Sequence, residues 1–355
     1  MRNTDQYFSR IKNDIGDYRS KLKKFRIPNN KKAIIQILNT MLPFLAMWVI
    51  MYLCYDRHFY VTCGVGFVNG LFLVRLFAIQ HDCGHHSYTS SKTANNLIRD
   101  IISLFSAVPG AYWEQVHNFH HANTSGLEQP GRDVGDIPTK TVREYRALSK
   151  FRRLKYRLSR SLIVMFIISP IAYFSVVNKI PHFAATVFRK RAWVTVKRCL
   201  KDNALLSSVY ILCIYFMKWK FVFIQAYLIL IFGIIAFWLF YVQHQHEHGY
   251  KQWKENLDKT LAAILGATYY KLPKALQWLT GNIGFHPIHH LDSQIPNYHL
   301  EQCVEENPEL LEHSTTITIK ESLKYAKFGL WSEDESKMIT FKEEKDLILK
   351  LRKVA

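Results

Sequence analysis

The chain has 355 residues, with 47 Lys plus Arg against 28 Asp plus Glu and a formal net charge of +19. That balance excludes an acidic disordered tail and points to an anionic partner: nucleic acid, a phospholipid surface or an acidic protein. Six cysteines without a C-x-x-C pair indicate neither a disulfide framework nor a thiolate metal site, whereas sixteen histidines are the composition of an imidazole metal site.

The first 32 residues are polar and basic, with no short apolar core before a small-residue cleavage site, so a secretory signal is not expected. Residues 33–55 and 59–80 are each long enough to cross a bilayer, which takes about 20 apolar residues. Only Asp56, Arg57 and His58 separate them, so they read as a helical hairpin. Residues 204–219 and 221–242 form a second candidate hairpin. A fifth apolar stretch, 162–177, is shorter and carries Pro170.

Charge sets the sidedness. Ten basic and three acidic residues precede Ala33, which places the N-terminus in the cytoplasm. The stretches 140–160 and 189–201 are both strongly basic, so 162–177 reads as an interfacial or re-entrant helix. The expected fold is therefore an all-α integral membrane protein. It has four transmembrane helices in two hairpins, a cytoplasmic helical cap and both termini in the cytoplasm. Residues 1–32 form a basic leading segment, 33–308 the main domain and 309–355 a C-terminal tail. Basic residues beside the spans meet anionic lipid heads, each worth about 1 kcal/mol near the surface. A nucleic-acid partner is not expected, because the charge is juxtamembrane and not on a soluble face.

Three histidine clusters follow the apolar segments: His81 and His85; His117, His120 and His121; and His286, His289 and His290. Residues at i, i+3 and i+4 share one helix face, so each cluster aims its imidazoles at one place. Pro287 is tolerated in the first turn of a helix. Imidazole suits zinc, copper, iron and nickel, and eight such ligands exceed the four of one tetrahedral zinc. His58, His182, His299 and His313 have no partner at such spacing and read as solvated or packed side chains. His86, His246 and His248 lie beside the clusters without sharing their pattern.

This pattern resembles the membrane fatty acid desaturases, an integral-membrane di-iron family with an H-x-x-x-H box and two H-x-x-H-H boxes. The similarity covers roughly residues 33–308 and looks closest to the bacterial acyl-lipid desaturases of the omega-6/delta-12 type. The stretches Val134-Gly135-Asp136-Ile137, Tyr241-Val242-Gln243-His244-Gln245, Thr280-Gly281-Asn282-Ile283-Gly284-Phe285 and Ile295-Pro296-Asn297-Tyr298 also resemble that subgroup. The resemblance implies a further ligand at His244, with His248, four residues on, as the alternative. It implies two iron ions ligated by the nine histidines, dioxygen as co-substrate, and an acyl lipid or acyl thioester held in an apolar tunnel.

The sequence holds no cysteine cluster for iron–sulfur and no G-x-G-x-x-G loop, so electrons are expected from a separate ferredoxin or cytochrome b5-like carrier. A basic cytoplasmic face would steer such an acidic partner. The membrane implied is a bacterial inner membrane. Among nearby polar residues, Asp136 and Asn282 are candidates to support the ligands, while Asp82, Glu114 and Asp133 read as solvated carboxylates. The rival readings are a related di-iron hydroxylase, epoxygenase or carotenoid-modifying enzyme, and a histidine-rich metal transporter. The transporter is disfavoured because every histidine box lies outside the apolar cores.

Overall fold

The computed structural model describes residues 2–354, which are mostly helical. Three helices are long and apolar enough to cross a membrane: Asn30–Cys54, Phe59–Gly84 and Ala192–His244. The first begins at Asn29, whose side-chain oxygen accepts from the Lys32 N–H at 3.0 Å and satisfies one of the free donors of the first turn. Ile34, Ile35, Leu38, Leu42, Val49 and Leu53 stay exposed on its outer face, an apolar band suited to hydrocarbon and not to water.

Phe59–Gly84 is the central helix. Asn69 Nδ2 donates to the Phe44 carbonyl at 3.2 Å, Thr62 Oγ1 to the Met51 carbonyl at 3.1 Å, and Arg75 Nε to Thr40 Oγ1 at 3.0 Å. Polar groups that lipid cannot hydrate are thus satisfied by the neighbouring helix. Gly66 and Gly70 let other helices approach closely. A Cβ at Gly66 would stand 2.6 Å from Met51 Cε, and one at Gly70 would stand 2.5 Å from Ile231 Cγ2.

The helix Ala192–His244 is broken at Lys218, where φ is 51° and ψ is −139°. Gln225 Nε2 donates to Tyr210 Oη at 2.9 Å although fifteen residues separate them, about 22 Å along a straight helix. The chain therefore doubles back, and the two arms pack on each other. The turn lies at Lys218, and the first arm starts at Ala192, inside the basic 189–201 stretch and ahead of the expected span from residue 204. The 162–177 stretch is a π-helical turn, Val164–Ile168, followed by the helix Ser169–Ser175. Together with Lys150–Ser159 it makes a helix pair bent by 59°.

The expectation of an all-α chain needs amending, because five short strands are present among the described residues. Lys140–Thr141 pairs parallel to Phe328–Ser332, which pairs antiparallel to Lys337–Thr340. Thr268–Tyr270 pairs parallel to Thr315–Ile317. The two parallel pairings join segments far apart in sequence, so no local pattern announces them, whereas Phe328–Ser332 and Lys337–Thr340 form a local hairpin. The C-terminal residues are thereby tied back onto the domain.

The N-terminal segment is tied down as well. Ile11, Ile15, Leu22 and Phe25 share a buried cluster with Tyr250, Leu261, Phe285, Ile288 and Leu300. Arg26 pairs with Asp292.

Candidate metal centre

Four segments deliver histidines to one place. His81 lies in the last turn of Phe59–Gly84 and His85 is the residue that caps it. The helix Gly110–Asn123 carries His117, His120 and His121. Its first turn is held by Asp202, whose Oδ2 accepts from the backbone N–H of Ala111 at 2.7 Å and of Tyr112 at 3.0 Å. His244 ends the third long helix. His286, His289 and His290 sit on His286–Leu291, with Pro287 in the first turn as its missing N–H allows.

The imidazoles form two adjacent groups. One nitrogen from each of His81, His85, His117, His121 and His289 lies within 4.8 Å of all the others, and the same holds for His120, His244 and His290. His286 joins the second group, its Nε2 standing 2.9 Å from that of His244 and 3.1 Å from that of His290. All nine histidines singled out in the sequence are therefore brought together. His248 is exposed and outside both groups, and His246 is buried but also outside them. His182 Nδ1 faces the Ile180 carbonyl, His299 Nδ1 the Phe25 carbonyl and His313 Nε2 Asp14.

The donor chemistry fits metal ions. Burial pushes the pKa values of His85, His117, His121, His289 and His290 well below the ordinary imidazole value, and the surrounding imidazoles add to that push. The rings are therefore neutral and each keeps a lone pair. His121 Nε2 faces both His117 Nε2 and His289 Nε2 at 3.0 Å. One hydrogen cannot serve all three. The Nε2 atoms of His81, His85 and His120 are buried with no hydrogen-bond partner among the described residues. Buried lone pairs facing each other are costly unless a cation lies between them. Nitrogens about 2.1 Å from a common ion stand about 3.0 Å apart when their bonds meet at right angles, which is the spacing found here.

The supporting residues differ from expectation. Asp82 is no solvated carboxylate. It is buried, its Oδ1 accepts from His81 Nδ1 at 3.0 Å, and its Oδ2 accepts from the backbone N–H and Nδ2 of Asn297 at 2.6 and 2.8 Å. Asp136 stands 3.8 Å from His120 Nδ1, beyond a hydrogen bond, and its Oδ1 accepts from Ile137 N–H. Asn282 occupies a left-handed turn with φ 59° and donates to the Asn297 carbonyl at 3.0 Å. Among the described residues it makes no side-chain hydrogen bond to a histidine. Glu114 pairs with Arg99. Sequence reasoning missed Trp113, which stacks on His117 at 4.4 Å and 11°. Its i, i+4 spacing was the available signal.

The family model for fatty acid desaturases matches residues 57–320. A protein named "Fatty acid desaturase" from Bacillus subtilis is 38% identical over 327 residues, covering 92% of this chain and 91% of the relative. The "sn-1 oleoyl-lipid 12-desaturase" of a Picosynechococcus species is 23% identical over 69% of this chain and 68% of its own length. The "sn-1 acyl-lipid omega-3 desaturase (ferredoxin)" of a Synechocystis species is 25% identical over 67% of this chain and 65% of its own length. With the histidine groups assembled at the ends of apolar helices, these matches show that the chain belongs to the fatty acid desaturase family of oxidoreductases.

Proposed function

We propose that the protein is an integral-membrane, oxygen-dependent acyl-lipid desaturase that introduces a cis double bond using two iron ions and electrons from a separate carrier. The observation that carries this reading is the pair of adjacent all-imidazole groups, with five nitrogens converging in one and four in the other. His81, His85, His117, His121 and His289 would hold one iron, and His120, His244, His286 and His290 the other. Two irons in such a shell supply what no side chain can: oxidation of an unactivated methylene pair by dioxygen. In the net reaction two neighbouring methylenes each lose one hydrogen. With two electrons and two protons from outside, dioxygen leaves as two waters.

The rest of the work falls to the chain. Asp82 holds His81 in one tautomer and orientation by accepting its Nδ1 hydrogen. Trp113 fixes the plane of His117. A cavity of about 580 Å³ opens between the arms of the broken helix, lined by Phe174, Tyr210, Ile214, Phe221 and Ala226. From Phe174 a row of aromatic rings, Phe232, Phe77 and Trp113, leads to His117 with centroid spacings of 4.8, 5.1, 5.1 and 4.4 Å. The cavity would take the acyl chain, and the packed rings between it and His117 would keep water from the imidazoles.

The reading includes four spans in two hairpins over the 33–308 domain, all large loops on the cytoplasmic side of a bacterial inner membrane. Gas chromatography of lipids from a host lacking polyunsaturated fatty acids tests the chemistry. A new cis-unsaturated acyl chain and close to two irons per chain are expected. A hydroxylated or epoxidised product, or full activity with a single zinc, would overturn the proposal.

A further inference from the structure

Seven of the nine imidazoles are fully buried, and the other two, His121 and His290, are half-buried. They come one from each group and stack on each other at 4.3 Å and 26°. Both line a cavity of about 230 Å³ whose outer wall is built from Tyr18, Arg19, Arg26 and Lys259. Here the outside of the protein reaches both histidine groups at once. The apolar cavity suited to an acyl chain is a separate one, lined by different residues.

The charges on this outer wall are uneven. Arg26 pairs with Asp292, which also lines the cavity, and nearby Lys12 pairs with Asp258. Arg19 and Lys259 have no carboxylate partner among the described residues and are exposed. The cavity thus carries a net positive rim over an imidazole edge. Tyr18, Arg19 and Arg26 lie before the 57–320 region matched by the family model, so this wall comes largely from the chain's own N-terminal segment.

We propose that the rim formed by Arg19, Arg26 and Lys259 docks an acidic one-electron carrier protein, which passes electrons inward through the stacked edges of His121 and His290. This rests on the reading of the centre as an iron site fed from outside. A carrier cannot enter so small a cavity, but docking over it brings its redox group close to both groups of ligands. Opposite charge steers the encounter and fixes its orientation. Each docking oxidises one carrier by one electron, so two dockings serve one double bond.

The test uses the full-length, iron-loaded protein in nanodiscs of zwitterionic lipid, with an acidic plant-type [2Fe–2S] ferredoxin as probe. The double variant Arg19→Glu with Lys259→Glu should weaken ferredoxin binding by about tenfold or more and flatten its salt dependence. It should slow ferredoxin-driven turnover in step while leaving dithionite-driven turnover unchanged. The control Arg152→Glu with Lys155→Glu reverses two exposed cations on Lys150–Ser159 and should change affinity by less than about twofold. The proposal is overturned if the unaltered protein does not bind ferredoxin at low salt, if the rim variant binds as well as the unaltered protein, or if the control loses affinity equally. A fall in dithionite-driven turnover with the rim variant also overturns it. Absence of desaturated product from the unaltered protein with dithionite would instead break the functional reading, and the binding measurement would still judge the docking site.

Discussion

The two histidine groups use the same ligand type but are supported very differently. In the first, His81 donates to the buried Asp82, Asp82 accepts twice from Asn297, and Gln36 Nε2 donates to Asn297 Oδ1 at 2.7 Å. Trp113 adds a stacked face. In the second, Nδ1 of His120, His286 and His290 has no partner among the described residues, and the nearest carboxylate to His120, Asp136, stands off at 3.8 Å. A carboxylate behind an imidazole fixes its orientation and strengthens it as a donor, and a buried negative charge offsets that of a cation. The first group is thus built to hold its ligands rigidly, while the second leaves its rings free to adjust.

The largest expected effect comes from removing ligands, which treats both groups alike. His85→Ala and His289→Ala in the first, and His120→Ala and His244→Ala in the second, should each yield membrane-inserted protein with no unsaturated product. His182→Ala and His313→Ala should remain active, because neither side chain reaches the histidine groups and changes away from the site usually cost stability and not chemistry. Normal product from two or more of the first four would break the ligand assignment. An active His244→Ala with an inactive His248→Ala would move the ninth ligand.

The carboxylates give the next effect and separate the groups. Asp82→Asn should lower metal affinity by roughly 10–100-fold, with one iron lost per chain, since it removes the charge behind His81. Asp136→Asn should cost far less. Equal losses, read by metal analysis after dialysis against a chelator, would erase the asymmetry. A smaller change is expected from Trp113→Leu. A stacked aromatic pair contributes about 0.5–1.5 kcal/mol, so activity should fall several-fold with both irons retained.

The clustering of the nine proposed ligands was legible, eight because each box keeps a spacing that shares one helix face, and His244 because its surroundings resemble a known family. The support beneath them was not. Asp82 borders His81 in sequence, yet only the fold brings Asn297, 215 residues away, onto its second oxygen. The parallel pairings were hidden for the same reason: Lys140–Thr141 finds its partner only at Leu330 and Trp331. The Ala192 start of the third long helix escaped because basic residues at a membrane surface read equally as helix or loop.

The smallest effect lies at the N-terminal segment, where His299 joins the comparison. Its Nδ1 faces the Phe25 carbonyl at 3.0 Å, and it sits two residues beyond Asn297 on Asn297–Glu306, the helix that feeds Asp82. Burial lowers the His299 pKa, with the carbonyl opposing that shift. The unfolded chain, whose imidazole titrates near about 6.5, therefore takes up a proton at a pH where the folded one does not. The contribution is full above that pH and declines as pH falls through it, levelling off only below the folded value. Thermal melts of the iron-loaded protein between pH 8 and pH 5 should show a shallower decline for His299→Gln than for the unaltered chain. Identical slopes would mean that this histidine titrates alike in both states, and that its burial against Phe25 does not tie the N-terminal segment to pH.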